Sequence, residues 1–284
     1  MRRSPGWRRK GPERTMRSYE EKKELLSHIL REALSRGACL AFSGGADSSA
    51  LLAALSGERE RSGGILRAVR FDTFLHGAGD GEAAARTAGE CKTELFVIPV
   101  NELDNPAILN NPKDRCYLCK KYLFEKLLDF AKAHGCRAVL DGTNADDGKA
   151  YRPGLRALSE LGVISPLREA GFTKEEVRRL AAEYGLSAAK RPSDSCLATR
   201  LPYGSRLERE TLERIRSGEE YLKSLGLRSV RLRLHGRVAR IEVEEGQIPL
   251  LAENRYGIVK RLKELGFSYI TLDLEGFRSG SMDI

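Results

Sequence analysis

The sequence predicts an α/β fold, a parallel sheet covered by helices, followed by a smaller α+β domain. Three observations carry that prediction. From residue 18 to about residue 200, short apolar runs alternate with helical patterns, as in strands joined by crossover helices. Past residue 200 the rhythm changes to a long charged helix, two alternating strands, a helical stretch and a last strand. Where the first strand hands over to the second helix stands "FSGGADSS" (42–49), with two glycines, a carboxylate and three serines.

The first helix opens on Ser18 and Glu21, spaced as the two halves of a capping box. Leu25, Leu26, Ile29, Leu30, Ala33 and Leu34 keep one face apolar, and Gly37 stops it. "ACLAF" (38–42) reads as a short buried strand, and the helical pattern returns after Asp47. "LRAVRFD" (66–72) is a strand, "DGEAAARTAGECK" (80–92) a helix and "TELFVIPV" (93–100) a strand. The next helix is expected from about Tyr117 to a stop at Gly135, and "CRAVLDG" (136–142) is the following strand. Thr173 and Glu176 form a second capping box at the head of "FTKEEVRRLAAEYGL" (172–186). Further on, 206–226 is a long charged helix, 228–236 and 238–245 read as paired strands, 248–266 is helical and 268–277 is the final strand. The expected division is a basic extension (1–17), the α/β domain (18–200) and the α+β domain (201–284), with no internal repeat.

Composition is that of a soluble globular protein, at 41% hydrophobic and 31% charged residues. No apolar run approaches the roughly 18 residues that span a bilayer. The N-terminus lacks the apolar stretch of a secretory signal, so the expected location is cytoplasmic. The net charge of +9 invites a nucleic-acid reading. Residues 1–17, however, hold seven basic side chains against Glu13 alone, which leaves the body mildly basic and nucleic acid a poor partner. That segment has little apolar content to bury and is expected to be an extension with no part in the chemistry. Met16, just before the first helix, is a candidate translation start. Of six cysteines, Cys39, Cys91 and Cys136 stand singly in or beside apolar stretches and read as buried small hydrophobes.

A glycine turn between strand and helix lets the backbone approach a ligand closely. The helix N-terminus then offers N–H groups to phosphate. The G-x-x-x-x-G-K-[ST] loop is excluded, because no lysine is present. A carboxylate inside a phosphate site makes sense when a cation accompanies the phosphates, and Mg²⁺ suits Asp47. The string resembles the PP-loop of the ATP pyrophosphatase superfamily, with its adenine nucleotide alpha hydrolase-like fold. These enzymes cleave ATP between the α- and β-phosphates and leave an adenylated substrate, which a sulfur or nitrogen nucleophile attacks.

Three further stretches narrow the resemblance. "NNPKDRCYLCKKYLF" (110–124) carries a C-x-x-C, and "LDGTNADDGKAYRPG" (140–154) follows a buried strand. "KRPSDSCLATRLPYG" (190–204) carries the third cysteine of interest. Together with "GFRSGSMDI" at the end, they resemble the LarE family, ATP-dependent sulfurtransferases of nickel-pincer cofactor synthesis, over residues 18–284. The resemblance implies the substrate pyridinium-3,5-biscarboxylic acid mononucleotide. Its carboxylates would be adenylated and converted to thiocarboxylates, and the family's members form homo-oligomers. By resemblance Ser43, Gly44, Gly45, Asp47, Ser48 and Ser49 bind the triphosphate, and Asp141, Gly142, Thr143 and Asn144 face it. Asp146 and Asp147 are candidates to share Mg²⁺ with Asp47, although all these residue types also build turns. Arg200, Arg231 and Arg233 are candidates to hold the substrate's phosphate or carboxylates. Alternating arginines share a strand face with His235, which a solvated surface would explain as well.

The family has two styles of sulfur supply. One sacrifices the sulfur of a cysteine at the position of Cys196. The other holds an iron–sulfur cluster on three cysteines, here Cys116, Cys119 and Cys196, with one iron of a 4Fe-4S cube open to carry sulfide. Zinc on the same thiols plus a histidine is an alternative, as is Cys196 acting alone. The rival function is a PP-loop tRNA thiolase, against which the weak body charge argues. An ATP-binding sensor without turnover is a second rival. An amidating synthetase would need an ammonia source.

Overall fold

The computed structural model describes residues 17–76, 80–149, 153–186, 195–278 and 281–282. The expected extension, apart from Arg17, and the candidate start at Met16 lie outside the described residues. So do the basic residues Lys190 and Arg191 ahead of Cys196. The first half contains α1 (Tyr19–Ser35), β1 (Ala38–Ala41), α2 (Ala46–Ser62), β2 (Leu66–Thr73), α3 (Asp80–Glu90), β3 (Leu95–Val100) and α4 (Arg115–Ala133). It continues through β4 (Ala138–Leu140), α5 (Gly154–Glu160), α6 (Pro166–Ala170) and α7 (Lys174–Glu183). The second half adds α8 (Arg209–Ser224), β5 (Arg231–His235), β6 (Val238–Glu242), α9 (Ile248–Glu253), α10 (Arg255–Glu264) and β7 (Tyr269–Leu272).

The first sheet is all parallel in the order β3-β2-β1-β4, so β1 is flanked on both sides. The strand pleat divides its side chains between two cores. Ala38 and Leu40 of β1, with Ala138 and Leu140 of β4, join Leu30, Leu51 and Leu180 of α1, α2 and α7. Cys39 and Val139 point the other way, onto Phe124 and Leu127 of α4 and Leu158 of α5. Cys39, Cys91 and Cys136 are buried, as their apolar surroundings predict.

The second sheet, β5-β6-β7, is mixed. β5 and β6 form the expected pair, which is antiparallel, while β7 runs parallel to β6 because α9 and α10 carry the chain back across. The helical stretch 248–266 is two helices meeting at Asn254. α8 closes this sheet with Leu212, Ile215 and Leu222 against Leu232 and Ile241. Leu75, Ile108, Leu197 and Ala198, from the first half of the chain, pack into that same core. Among the described residues no helix is long and apolar enough to cross a membrane.

Both predicted capping boxes are present. Ser18 Oγ accepts from Glu21 N–H at 3.2 Å, and Thr173 Oγ1 accepts from Glu176 N–H at 3.3 Å. Lys22 of α1 joins α7 through Glu176 at 2.7 Å. Burial opposes ionisation of Glu176, but Lys22 and the backbone N–H of Thr173 outweigh it and hold the carboxyl below 4.5. A carboxyl depressed in the folded state stabilises above its unfolded pKa and loses that contribution as pH falls through the folded one. The stability gap between wild type and Glu176→Gln, measured by urea titration, should therefore be fully open above about pH 5. It should narrow steadily on acidification; a gap that does not change with pH would contradict this.

Candidate active site

The cleft lies beyond the carboxyl ends of β1, β2 and β4, where ligands of open parallel sheets bind. It measures about 440 Å³. Ser43, Asp47, Ser48, Asp141, Gly142, Thr143 and Asp147 line it, seven of the twelve residues that the resemblance implies for ATP and Mg²⁺. Phe42, Phe71 and Phe124 supply apolar wall, and Arg70, His76 and Lys120 supply cations or a titratable ring.

The turn after β1 is built on Gly44 at φ +77°, where a Cβ would sit 3.0 Å from Ala84 of α3. Ser43 Oγ lies 3.1 Å from Ser48 Oγ and accepts from Gly45 N–H at 3.3 Å, which closes the turn onto the first residues of α2. The loop after β4 meets this turn backbone to backbone. A Cβ on Gly142 would come within 2.9 Å of Ser48 N. Ser49 is fully buried behind the turn, its hydroxyl without a hydrogen-bond partner, and it does not line the cleft.

Asp47 is the electrostatic centre of this region. Its Oδ2 accepts from Lys174 Nζ and, at 3.3 Å, from Asn144 Nδ2. Its Oδ1 is buried and has no hydrogen-bond partner among the described residues. A buried carboxylate oxygen without a donor is costly, and a hard cation is a fitting partner for it. Asn144 is itself buried, its Oδ1 accepting from the backbone N–H groups of Asp146 and Asp147 at 2.9 and 3.3 Å. Asp147 Oδ2 accepts from Asn144 N–H at 3.0 Å, and Asp146 Oδ2 from Lys174 N–H at 2.8 Å. Both carboxylates thus help shape the loop, and Asp147 also faces the cleft. Asp141 accepts from Thr143 Oγ1 and, at 2.6 Å, from Ser165 Oγ, and Lys120 Nζ lies 3.6 Å away.

Lys174 and Lys120 escaped the sequence reading. A signal for Lys174 was present: it is the first residue of α7, where the helix dipole disfavours a cation. Such a lysine needs an anion from elsewhere, and Asp47 is that anion.

The cysteines sit beside this cleft. α4 begins at Arg115, two residues ahead of expectation, so Cys116 and Cys119 occupy its first turns. Cys196 precedes a short helical turn, Leu197–Arg200, which is tied to the turn after β2 by Leu197 N–H donating to Leu75 O at 2.8 Å. Cys116 is exposed, and Cys119 and Cys196 are half-buried. Burial pushes the Cys119 thiol well up, with Cys196 and Cys116 adding to the effect. Burial likewise pushes Cys196 up to about 11, against the pull of Arg115. Among the described residues, no three His, Cys, Asp or Glu side chains are gathered closely enough to ligate a metal as they stand.

The arginine candidates are buried and already engaged. Arg200 forms a two-pronged pair with Glu219 at 2.7 and 3.0 Å, and its Nη1 donates to Ser195 O and Cys196 O at 3.0 and 3.2 Å. Arg233 donates to Glu242 at 3.0 and 3.1 Å and to Thr199 O at 2.6 Å. Arg231 is buried over Phe277. The strand face they share is thus interior, not solvated, and it braces the Cys196 segment.

Placing a methyl at Gly142 forces two backbones apart at the centre of the cleft. Gly142→Ala should therefore destabilise the fold by about 1–3 kcal/mol. Urea titration would read this, and unchanged stability would refute the close-approach argument.

No protein-family model matches the chain. It is 37% identical over 244 residues to the pyridinium-3,5-bisthiocarboxylic acid mononucleotide synthase of Lactiplantibacillus plantarum, spanning 86% of this chain and 88% of that protein. An uncharacterized protein of Synechocystis sp. is 36% identical over 248 residues, 87% of this chain and 91% of the relative. An uncharacterized protein of Methanocaldococcus jannaschii is 34% identical over 172 residues, 61% and 67% of the two chains. With this identity sustained along nearly the whole length of the synthase, on a parallel α/β fold with its strand-end cleft, the chain is an enzyme that belongs to the LarE family of sulfurtransferases.

Proposed function

We propose that this enzyme activates the carboxylates of pyridinium-3,5-biscarboxylic acid mononucleotide with ATP and converts them to thiocarboxylates. The bisthiocarboxylic acid is the product for which the Lactiplantibacillus relative is named. The observation that carries the reading is Asp47 at the glycine turn, with Lys174 and Asn144 on one oxygen and, among the described residues, no donor on the other.

A carboxylate is a poor electrophile with a poor leaving group. One of its oxygens attacks the α-phosphorus of ATP, the acyl–phosphate bond forms and pyrophosphate leaves. A sulfur nucleophile then adds to the acyl carbon and AMP leaves. The turn at Gly44 and Gly45 and the N-terminus of α2 present N–H donors to the triphosphate. Lys174 and Lys120, beside Asp47 and Asp141, stand where positive charge offsets the departing pyrophosphate. Asp47, with Asp147 across the cleft, would hold Mg²⁺, which supplies Lewis-acid stabilisation of the phosphate oxygens.

Cys116, Cys119 and Cys196 would hold a 4Fe-4S cluster, whose open iron supplies a place for sulfide. The donor chemistry fits, since Cys116 and Cys119 sit one helical turn apart at the head of α4 and the Cys116 and Cys196 thiols both act on Cys119, although the three must draw closer to ligate. Arg200 and Arg233 fix the backbone carbonyls of Cys196 and Thr199 and so limit how far that segment moves. Exposed Tyr256, Val259, Tyr269 and Leu274 on the second domain fit a homo-oligomer.

Two measurements test this reading. Protein purified without oxygen should show a broad absorbance near ~400 nm and about four irons per chain, both lost in Cys116→Ala. Colourless, iron-free protein after attempted reconstitution would favour zinc or a sacrificial Cys196, the latter visible as a mass decrease after one turnover. Asp47→Asn should lower substrate-dependent exchange of pyrophosphate into ATP by about 100-fold or more. Full exchange in that variant would remove Asp47 from the activation step.

A further inference from the structure

Asn111 is fully buried and adopts φ +46°, a left-handed conformation that asparagine tolerates better than most residues. Its amide nitrogen donates to Pro202 O at 2.8 Å and Leu201 O at 3.1 Å, with Ala198 O at 3.4 Å. Its own carbonyl accepts from Gly204 N–H at 3.1 Å, and Leu109 O accepts from Leu207 N–H at 2.7 Å. The loop that leads into α4 is thereby laced to the segment that follows Cys196.

The other end of the Asn111 side chain, Oδ1, accepts from Arg115 Nη1. Arg115 is only 4% exposed, sits directly before Cys116 and places Nη2 3.9 Å from Cys116 Sγ. Its guanidinium lies over the Tyr203 ring at 5.7 Å. Among the described residues no carboxylate forms an ion pair with it. Buried guanidinium groups ordinarily have an anionic partner, because an uncompensated charge in the interior is costly. Here the direct contacts are an amide oxygen, an aromatic ring and the Cys116 sulfur, and the buried Glu102 carboxylate acts on the neighbouring thiols without pairing with the guanidinium. The anions that this position fits are therefore thiolates and hydrosulfide, soft anions to which a planar N–H fork can donate.

We propose that Asn111 and Arg115 are positioning residues of sulfur transfer: Asn111 sets Cys196 against the first turns of α4, and Arg115 is the counter-charge for anionic sulfur held there. This rests on the reading that the three cysteines handle the transferred sulfur. It divides the molecule's work, because neither residue lines the ATP cleft. Loss of either should spare activation and impair delivery of sulfur.

Two experiments on the full chain decide it. In a Cys116→Ser background, dibromobimane becomes fluorescent when it bridges Cys119 and Cys196. Asn111→Gly keeps the left-handed backbone and removes the side chain, and it should cut the bridged yield about tenfold. With all cysteines present, Asn111→Gly and Arg115→Met should keep substrate-dependent pyrophosphate exchange within about twofold and form thiocarboxylate about tenfold more slowly. Arg115→Lys, which restores the charge, should recover most of that rate. Equal cross-linking with and without the Asn111 side chain would overturn the clamp. Exchange and thiocarboxylate formation falling together, or Arg115→Lys doing no better than Arg115→Met, would reduce both residues to a structural role. If the proposed function itself fails, wild-type protein forms no thiocarboxylate at all, and the cross-linking comparison still decides the clamp.

Discussion

The contact between the Gly142 loop and the Ser48 backbone is the constraint on which the rest of the cleft depends. β1 and β4 are hydrogen-bonded neighbours, so the loops leaving their carboxyl ends must pass each other at once. They pass closely because one of them has no side chain at the crossing. That closeness lets Asn144 reach Asp47, and it lets Lys174, arriving from the head of α7, reach the same carboxylate. A Rossmann-like sheet supplies only the place where a ligand sits. The charge arrangement at that place comes from three loops being held within side-chain reach.

Local features of this fold were legible in the sequence, and long-range partnerships were not. Ser18 with Glu21 and Thr173 with Glu176 announce helix starts because both halves of each box lie within one turn. The glycine turn was readable because strand, turn and helix follow one another directly. Lys174 is 127 residues from Asp47, and Arg200 is 19 residues from Glu219. Alternating arginines on a strand say that the side chains share a face, but not what covers it. In β5 the cover is the segment after Cys196 together with Phe277 near the end of the chain. α4 starts two residues ahead of expectation, at a favoured cap residue type that carries no capping-box partner. Asp114 stands at the cap position without a side-chain hydrogen bond to the helix.

The small-sheet half of the chain holds its buried charges in pairs. Glu219 and Glu242 each accept from a buried arginine, and Glu242 also takes Arg240 and Ser281. Buried pairs of this kind contribute little net stability, since desolvation offsets their attraction. What they supply is direction. Each guanidinium has donors left over after its carboxylate is matched, and in Arg200 and Arg233 those donors grip carbonyls at Cys196 and Thr199. The interior of the second domain therefore acts as a mount for a cysteine that belongs, by sequence, to the first.

The second hydrophobic core is not self-sufficient. Leu75 and Ile108, from loops of the parallel-sheet half, fill it beside Leu212 and Leu232, and Leu197, Ala198, Leu201 and Leu207 thread through it. A chain divided between the two sheets would leave one fragment with an open apolar face and the other with stranded leucines. The small sheet is therefore packed through residues of the parallel-sheet half, and the seat of Cys196 depends on both.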